Sequence, residues 1–186
     1  MEKLADDWIM AEPEKAQAES EYYCQTRDVF EARNDKTPDK LIRDGMKDEL
    51  AYMIYSMLGE LGNNSFDHNL ANWPDVSGVF FAVEYDGEKG RAIIADRGLG
   101  VLNTLRKAAP YLKNDEEALE LAFTKKISSR VLENRGNGLK FVKNNVNENN
   151  LLLEFSSGNA QMIINHGMKK NEIENKINGC LVILNF

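Results

Sequence analysis

The sequence predicts an α+β fold, with one domain over residues 37–186 and an acidic helical extension over residues 1–36 before it. Three observations predict it. Apolar residues recur with the helical period through residues 50–61. Two runs of β-forming residues flank Asp86-Gly87-Glu88-Lys89-Gly90, a composition that suits a hairpin loop. Three more β-rich runs follow a second amphipathic helix towards the end of the chain.

Composition bounds the partners. A chain of 186 residues can bury a self-sufficient core and suits one domain with an appendage. The net charge of −7 argues against a surface that grips nucleic acid or anionic membrane, but leaves room for a small basic pocket for phosphates. Cys24 and Cys180 are far apart and have no metal-ligand spacing, which fits a reducing compartment. Met1 to Trp8 holds no signal-peptide apolar core, and no apolar run is long enough to span a bilayer. The expectation is a soluble cytoplasmic protein with no nucleic-acid or membrane partner.

The elements follow in order. Residues 1–35 carry ten acidic and four basic side chains. Pro13 and Glu14 suit the first turn of a helix running to about Arg33, with a patchy apolar face of Tyr22, Tyr23, Val29 and Phe30. It reads first as a solvated helix packed loosely on the domain, and second as a docking arm through which a homodimer would form. Thr37 as N-cap and Pro38 after it start a helix expected to reach about Leu70. Leu50, Met53, Ile54, Met57, Leu58 and Leu61 form its buried stripe, and Glu60, Asn64 and Asp67 lie on a stripe alongside. A carboxylate and a carboxamide four residues apart share one helical face, which suits a general base beside a metal ligand. Taken alone, these residues read more plainly as the boundary of the core.

Trp73-Pro74-Asp75 is a turn, and residues 76–85 and 91–95 are antiparallel strands. The second ends in Asp96-Arg97-Gly98-Leu99-Gly100, where a carboxylate can face a ligand while glycines let the backbone approach. Residues 101–109 and 115–123 are helical, and residues 123–130 read as a loop of the kind that serves as a lid. Arg135-Gly136-Asn137-Gly138-Leu139 precedes an amphipathic helix with Leu139, Val142 and Val146 on one side. Backbone N–H groups of such a turn make an anion cradle, with a plain flexible loop as the alternative. Residues 151–156, 160–165 and 180–186 are strands, Ser157-Gly158-Asn159 is a tight turn, and residues 167–178 are polar and unassigned. The chain has no P-loop, no dinucleotide fingerprint and no nucleophile elbow. His166 reads as a structural histidine, while His68 is evenly balanced between structural and functional roles.

Read together, the three motifs resemble those of the GHKL ATPase superfamily, which includes gyrase B subunits, ninety-kilodalton heat-shock chaperones, histidine kinases, MutL proteins and anti-sigma serine kinases. The resemblance covers about Asp48 to Phe186. Glu60-x-x-x-Asn64 is similar to the N-box, which implies that Asn64 holds Mg²⁺ on the ATP phosphates and that Glu60 is the catalytic general base. Ser65 fits the small residue after the asparagine; Asp67 resembles the gyrase-type pattern and His68 the anti-sigma kinase pattern. Asp96-x-Gly98-x-Gly100 resembles the G1 box, in which the aspartate accepts from the adenine amino group. Gly136-Asn137-Gly138-Leu139 resembles the G2 box, which closes on the phosphates, so residues 101–135 would be an ATP lid. One position departs from the pattern: Gly179-Cys180 stands where many members have Gly-Thr, and a hydroxyl contact to adenine is lost.

The resemblance implies a Bergerat-type two-layer α/β sandwich, with a mixed, largely antiparallel sheet, helices on one face and ATP on the helix side. It implies ATP and Mg²⁺ as ligands and a protein partner or substrate. The expected function is Mg²⁺-dependent ATP hydrolysis or an ATP-gated switch. The alternatives are an anti-sigma-type serine/threonine kinase and a nucleotide-binding regulator without turnover.

Overall fold

The computed structural model describes residues 1–70, 72–125 and 137–186. In chain order these form α1 (Glu2–Met10), a short 3-10 turn (Pro13–Lys15), β1 (Tyr23–Cys24), α2 (Arg27–Asn34), α3 (Thr37–Arg43), α4 (Asp48–Asn69), β2 (Val79–Tyr85), β3 (Gly90–Asp96), α5 (Gly100–Leu105), α6 (Asp115–Thr124), α7 (Gly138–Glu148), β4 (Leu152–Ile164) and β5 (Met168–Asn185). The strands make one sheet in the order β1-β2-β3-β5-β4. The α+β class is as expected. The sheet is not mixed, because every described pair of neighbouring strands is antiparallel.

Helices also cover both faces of the sheet rather than one. Successive strand residues point to opposite sides. Val79, Phe81, Ala92, Ile94, Val182 and Leu184 face the main core with Ile54, Met57, Leu58 and Leu61 of α4. Phe80, Ala82, Ile93, Ala95, Leu181 and Ile183 face the other way, where Ala5, Trp8 and Ile9 of α1 bury them. This explains why residues 79–83 are apolar without alternation: both of their faces are covered.

The N-terminal segment departs furthest from expectation. Pro13 opens only a single 3-10 turn, and the helix predicted to run from there to Arg33 does not form. Tyr23 and Cys24 instead pair with Phe80 and Val79 as an edge strand. Thr26 then caps a new helix by accepting from the Val29 N–H at 3.4 Å. The helix expected from Thr37 to Leu70 is interrupted at Gly45, which takes φ +103°. The Gly45 N–H donates to Ile42 O at 3.0 Å and the Met46 N–H to Leu41 O at 2.9 Å, closing α3 before α4 begins.

The C-terminal hairpin is longer than its sequence suggests. Ser157-Gly158-Asn159 is not a turn but an irregularity within β4, with Gly158 at φ +62°. The reversal comes at His166, φ +51°, where the Asn165 N–H meets Gly167 O at 3.2 Å. The polar residues from Met168 onward extend β5, and Lys170 there pairs with Glu116 (2.7 Å) and Glu120 (3.0 Å) of α6. Among the described residues, no helix is long and apolar enough to cross a membrane.

α2 is fastened across α4. Phe30 is fully buried and its ring occupies the space a Cβ on Gly62 would need. Asn34 donates to Tyr55 O at 3.1 Å, and the Tyr55 hydroxyl donates to Asp35 at 3.0 Å. Gly62→Leu is expected to lower stability by roughly 1–3 kcal/mol through overpacking against Phe30. Urea denaturation measures it, and a variant as stable as the native chain contradicts this contact.

Candidate functional site

β3 ends in Asp96, which is only 2 % exposed. A buried carboxyl needs donors, and neighbouring elements supply them. Ser65 Oγ on α4 donates to Asp96 Oδ2 at 2.7 Å, and the Gly98 N–H donates to Oδ1 at 2.9 Å. Asn69, one turn after Ser65, reaches Oδ1 at 3.5 Å through Nδ2 and accepts from the Leu99 N–H at 2.8 Å. Burial, the largest effect, pushes the Asp96 carboxyl up, while the bonds from Ser65 and Gly98 pull it down.

Glycines make this junction sterically possible at two points. Gly179 takes φ +86°, and a Cβ there would overlap the Asp96 carbonyl. β5 therefore passes directly against the Asp96–Gly98 turn. A Cβ on Gly98 would overlap the Asn69 carboxamide, so Gly98 packs behind the turn. Ser157 Oγ ties the next layer, donating to Gly179 O and accepting from the Val101 N–H, each at 3.0 Å. Cys180, paired with Asp96 across the strands, directs its thiol to Ser157 Oγ at 3.7 Å. Burial first, then the Asp96 carboxyl, push that thiol well above its ordinary 9.0.

Beside this junction lies a cavity of about 600 Å³. Its described lining includes Glu60, Asn64, Asp67 and His68 of α4, Asp96 and Gly100, Cys180 and Val182 of β5, and Asn137, Gly138 and Leu139 at the start of α7. Most of the residues predicted to form a site are thus brought together from segments far apart in the chain. Gly98 supports the turn without lining the cavity, and Gly136 lies outside the described residues, as does the predicted lid beyond Lys125. The described part of that lid segment, α5 and α6, shares a small core of Leu105, Ala109, Leu112, Ala118 and Leu121.

Glu60 is exposed and half-buried Asn64 is one turn on. The Glu60 carboxylate lies where a Cβ on Gly138 would be, against the first turn of α7. The free N–H groups of that turn favour negative charge. Neither Glu60 nor Asn64 makes a side-chain hydrogen bond or ion pair with another described residue. Asp67 is ion-paired to Arg27 of α2. Among the described residues no group of three or more His, Cys, Asp or Glu side chains forms a metal site. A single carboxamide with no side-chain partner among the described residues still suits Mg²⁺, which takes one or two protein oxygens and fills its shell with phosphate and water.

Several contributors were not anticipated. Asn69 carried one usable sign, its i+4 spacing from Ser65. Gly179 stood out only as the neighbour of Cys180 in the Gly-Thr comparison, and Ser157 carried no sign, since its role exists only through strand pairing. Arg97 is fully buried behind the turn: Nη1 donates to Trp8 O (2.7 Å) and Ile9 O (2.9 Å) at the end of α1, and Nε and Nη2 to Asp75 (3.0 and 2.5 Å).

The raised Asp96 carboxyl has a pH consequence. Its contribution to stability is fully present below its ordinary value of 3.8 and is lost as pH rises through the higher folded value. Asp96→Asn removes that titration, so the variant is expected to gain stability relative to the native chain as pH rises across this interval. Chemical denaturation of both proteins at acid and neutral pH checks it, and parallel pH profiles contradict it. Comparison of the chain with family models, with curated proteins and with solved structures gives no match.

Proposed function

We propose that the cavity binds an adenine nucleotide with Mg²⁺ and that the protein hydrolyses ATP or uses its binding as a switch. The observation that carries this reading is the convergence, on one cavity of about 600 Å³, of Glu60 and Asn64, of Asp96, and of the start of α7. Asp96 supports base recognition. Its carboxyl lines the cavity and is held in one orientation by Ser65, Gly98 and Asn69, and would accept from an amino group. Asn64 would hold Mg²⁺, which supplies charge neutralisation on the phosphates when bound. The N–H groups opening α7 would cradle phosphate oxygens. Glu60 would take the proton of a water that attacks the γ-phosphorus as the bond to the β,γ-bridging oxygen breaks and ADP leaves, and would return that proton to the released phosphate.

One observation favours a second reading, a nucleotide-binding regulator without turnover. The Cys180 thiol is directed at Ser157 and is a weak donor, so it replaces the hydroxyl of the resembling motif poorly.

Calorimetric titration with ATP, ADP and GTP, with and without Mg²⁺, tests the nucleotide reading. ATP and ADP are expected to bind, GTP at least about tenfold more weakly, as loss of one specific polar contact implies. The absence of adenine-nucleotide binding at millimolar ligand overturns it. Asn64→Ala is expected to abolish Mg·ATP binding; unchanged affinity removes the metal assignment. Glu60→Ala is expected to keep binding and lose phosphate release, whereas native turnover in that variant rejects Glu60 as the base.

A further inference from the structure

The charge of the cavity poses a problem for an anionic ligand. Its described lining carries four carboxyl groups, those of Glu31, Glu60, Asp67 and Asp96, against one permanently charged base, Arg27. Polyphosphate in such a wall needs a cation beyond any metal ion. Arg27 comes from α2, outside the Glu60–Asn64, Asp96–Gly100 and Gly136–Leu139 motifs.

Its position is fixed by packing. Phe30, the next residue along the same helical face, is wedged against Gly62, and Asn34 holds the far end of α2 to Tyr55 O at 3.1 Å. Asp67 then orients the guanidinium by taking an N–H from Nη2. Asp67 follows Asn64 by three residues, so the guanidinium is anchored within one helical turn of the proposed metal ligand. An arginine has five N–H donors, and the Asp67 bond uses one of them. The Arg27 side chain is 36 % exposed and lines the cavity.

Resting on the adenine-nucleotide reading of the cavity, we infer that Arg27 is its phosphate-reading residue: it binds the anionic end of the nucleotide and discriminates nucleotide from uncharged nucleoside. The N-terminal segment is then part of the ligand site as well as of the fold. Asp67 is the positioning residue that aims the guanidinium fork.

Titration of the full chain with Mg·ATP and with adenosine tests this, in the native protein, Arg27→Gln and Arg27→Lys. Arg27→Gln is expected to weaken Mg·ATP by about tenfold or more while adenosine changes by less than about twofold, because only the phosphates lose a charge-assisted bond. Arg27→Lys, which keeps the charge but not the fork, is expected to recover part of the loss. An ATP-to-adenosine affinity ratio in Arg27→Gln equal to that of the native protein overturns the inference, whether both affinities are unchanged or both fall together. In that case native ATP binding leaves the nucleotide reading standing. If the native protein binds neither ligand, both readings fail.

Discussion

A buried carboxyl at the end of β3 is the constraint around which the chain closes. Asp96 cannot be taken from water without donors, and leaving one out costs about 1–3 kcal/mol. The donors come from α4 and from the glycine turn that follows. Satisfying Asp96 therefore fixes the height of α4 on the sheet and the path of the chain into α5. β5 must then pass without a side chain, which Gly179 provides. Ser157 locks the result from the neighbouring strand.

The next residue does the opposite job. Because adjacent strand residues point to opposite faces, Asp96 meets the cavity side and Arg97 the side of α1. The Arg97 guanidinium is satisfied by Asp75 and by carbonyls at the end of α1 that no helical N–H can reach. Two adjacent side chains of opposite charge thus join three layers, helix, sheet and helix, at one strand end. The second face is part of what holds the cavity wall in place, and α1 is not a loose appendage.

The carboxyl groups around the cavity have different environments and suit different work. Asp96 is buried, hydrogen-bonded and oriented, which suits recognition of a donor. Glu60 is exposed at the first turn of α7 without a described side-chain partner, which suits a group that moves a proton. Asp67 is paired with Arg27 and belongs to the charge balance of the wall. The glycines do the remaining work, letting Glu60 approach Gly138 and β5 approach the Asp96 turn.

Local chemistry determined much of this before folding. The 3.6-residue stripe through α4, the hairpin at Asp86–Gly90, the carboxylate at the end of β3 and the glycine at the start of α7 depend on near neighbours, and all were legible in order. So was the pairing of Glu60 with Asn64, since one helical turn separates them. Only tertiary structure decided the rest. Gly158 reads as a turn residue but forms a bulge, because strand pairing on both sides of it continues. Gly45 looks tolerable inside a helix but separates two, because the chain there takes a positive φ. The stretch from Pro13 to Arg33 reads as one solvated helix, yet it supplies an edge strand and a separate helix whose Phe30 is fully buried, and Arg27 reaches the cavity through Asp67, forty residues on. Periodicity and turn chemistry report what a residue does with its neighbours in sequence. Which face it covers, and which charge it meets, depends on contacts that exist only once distant segments have packed.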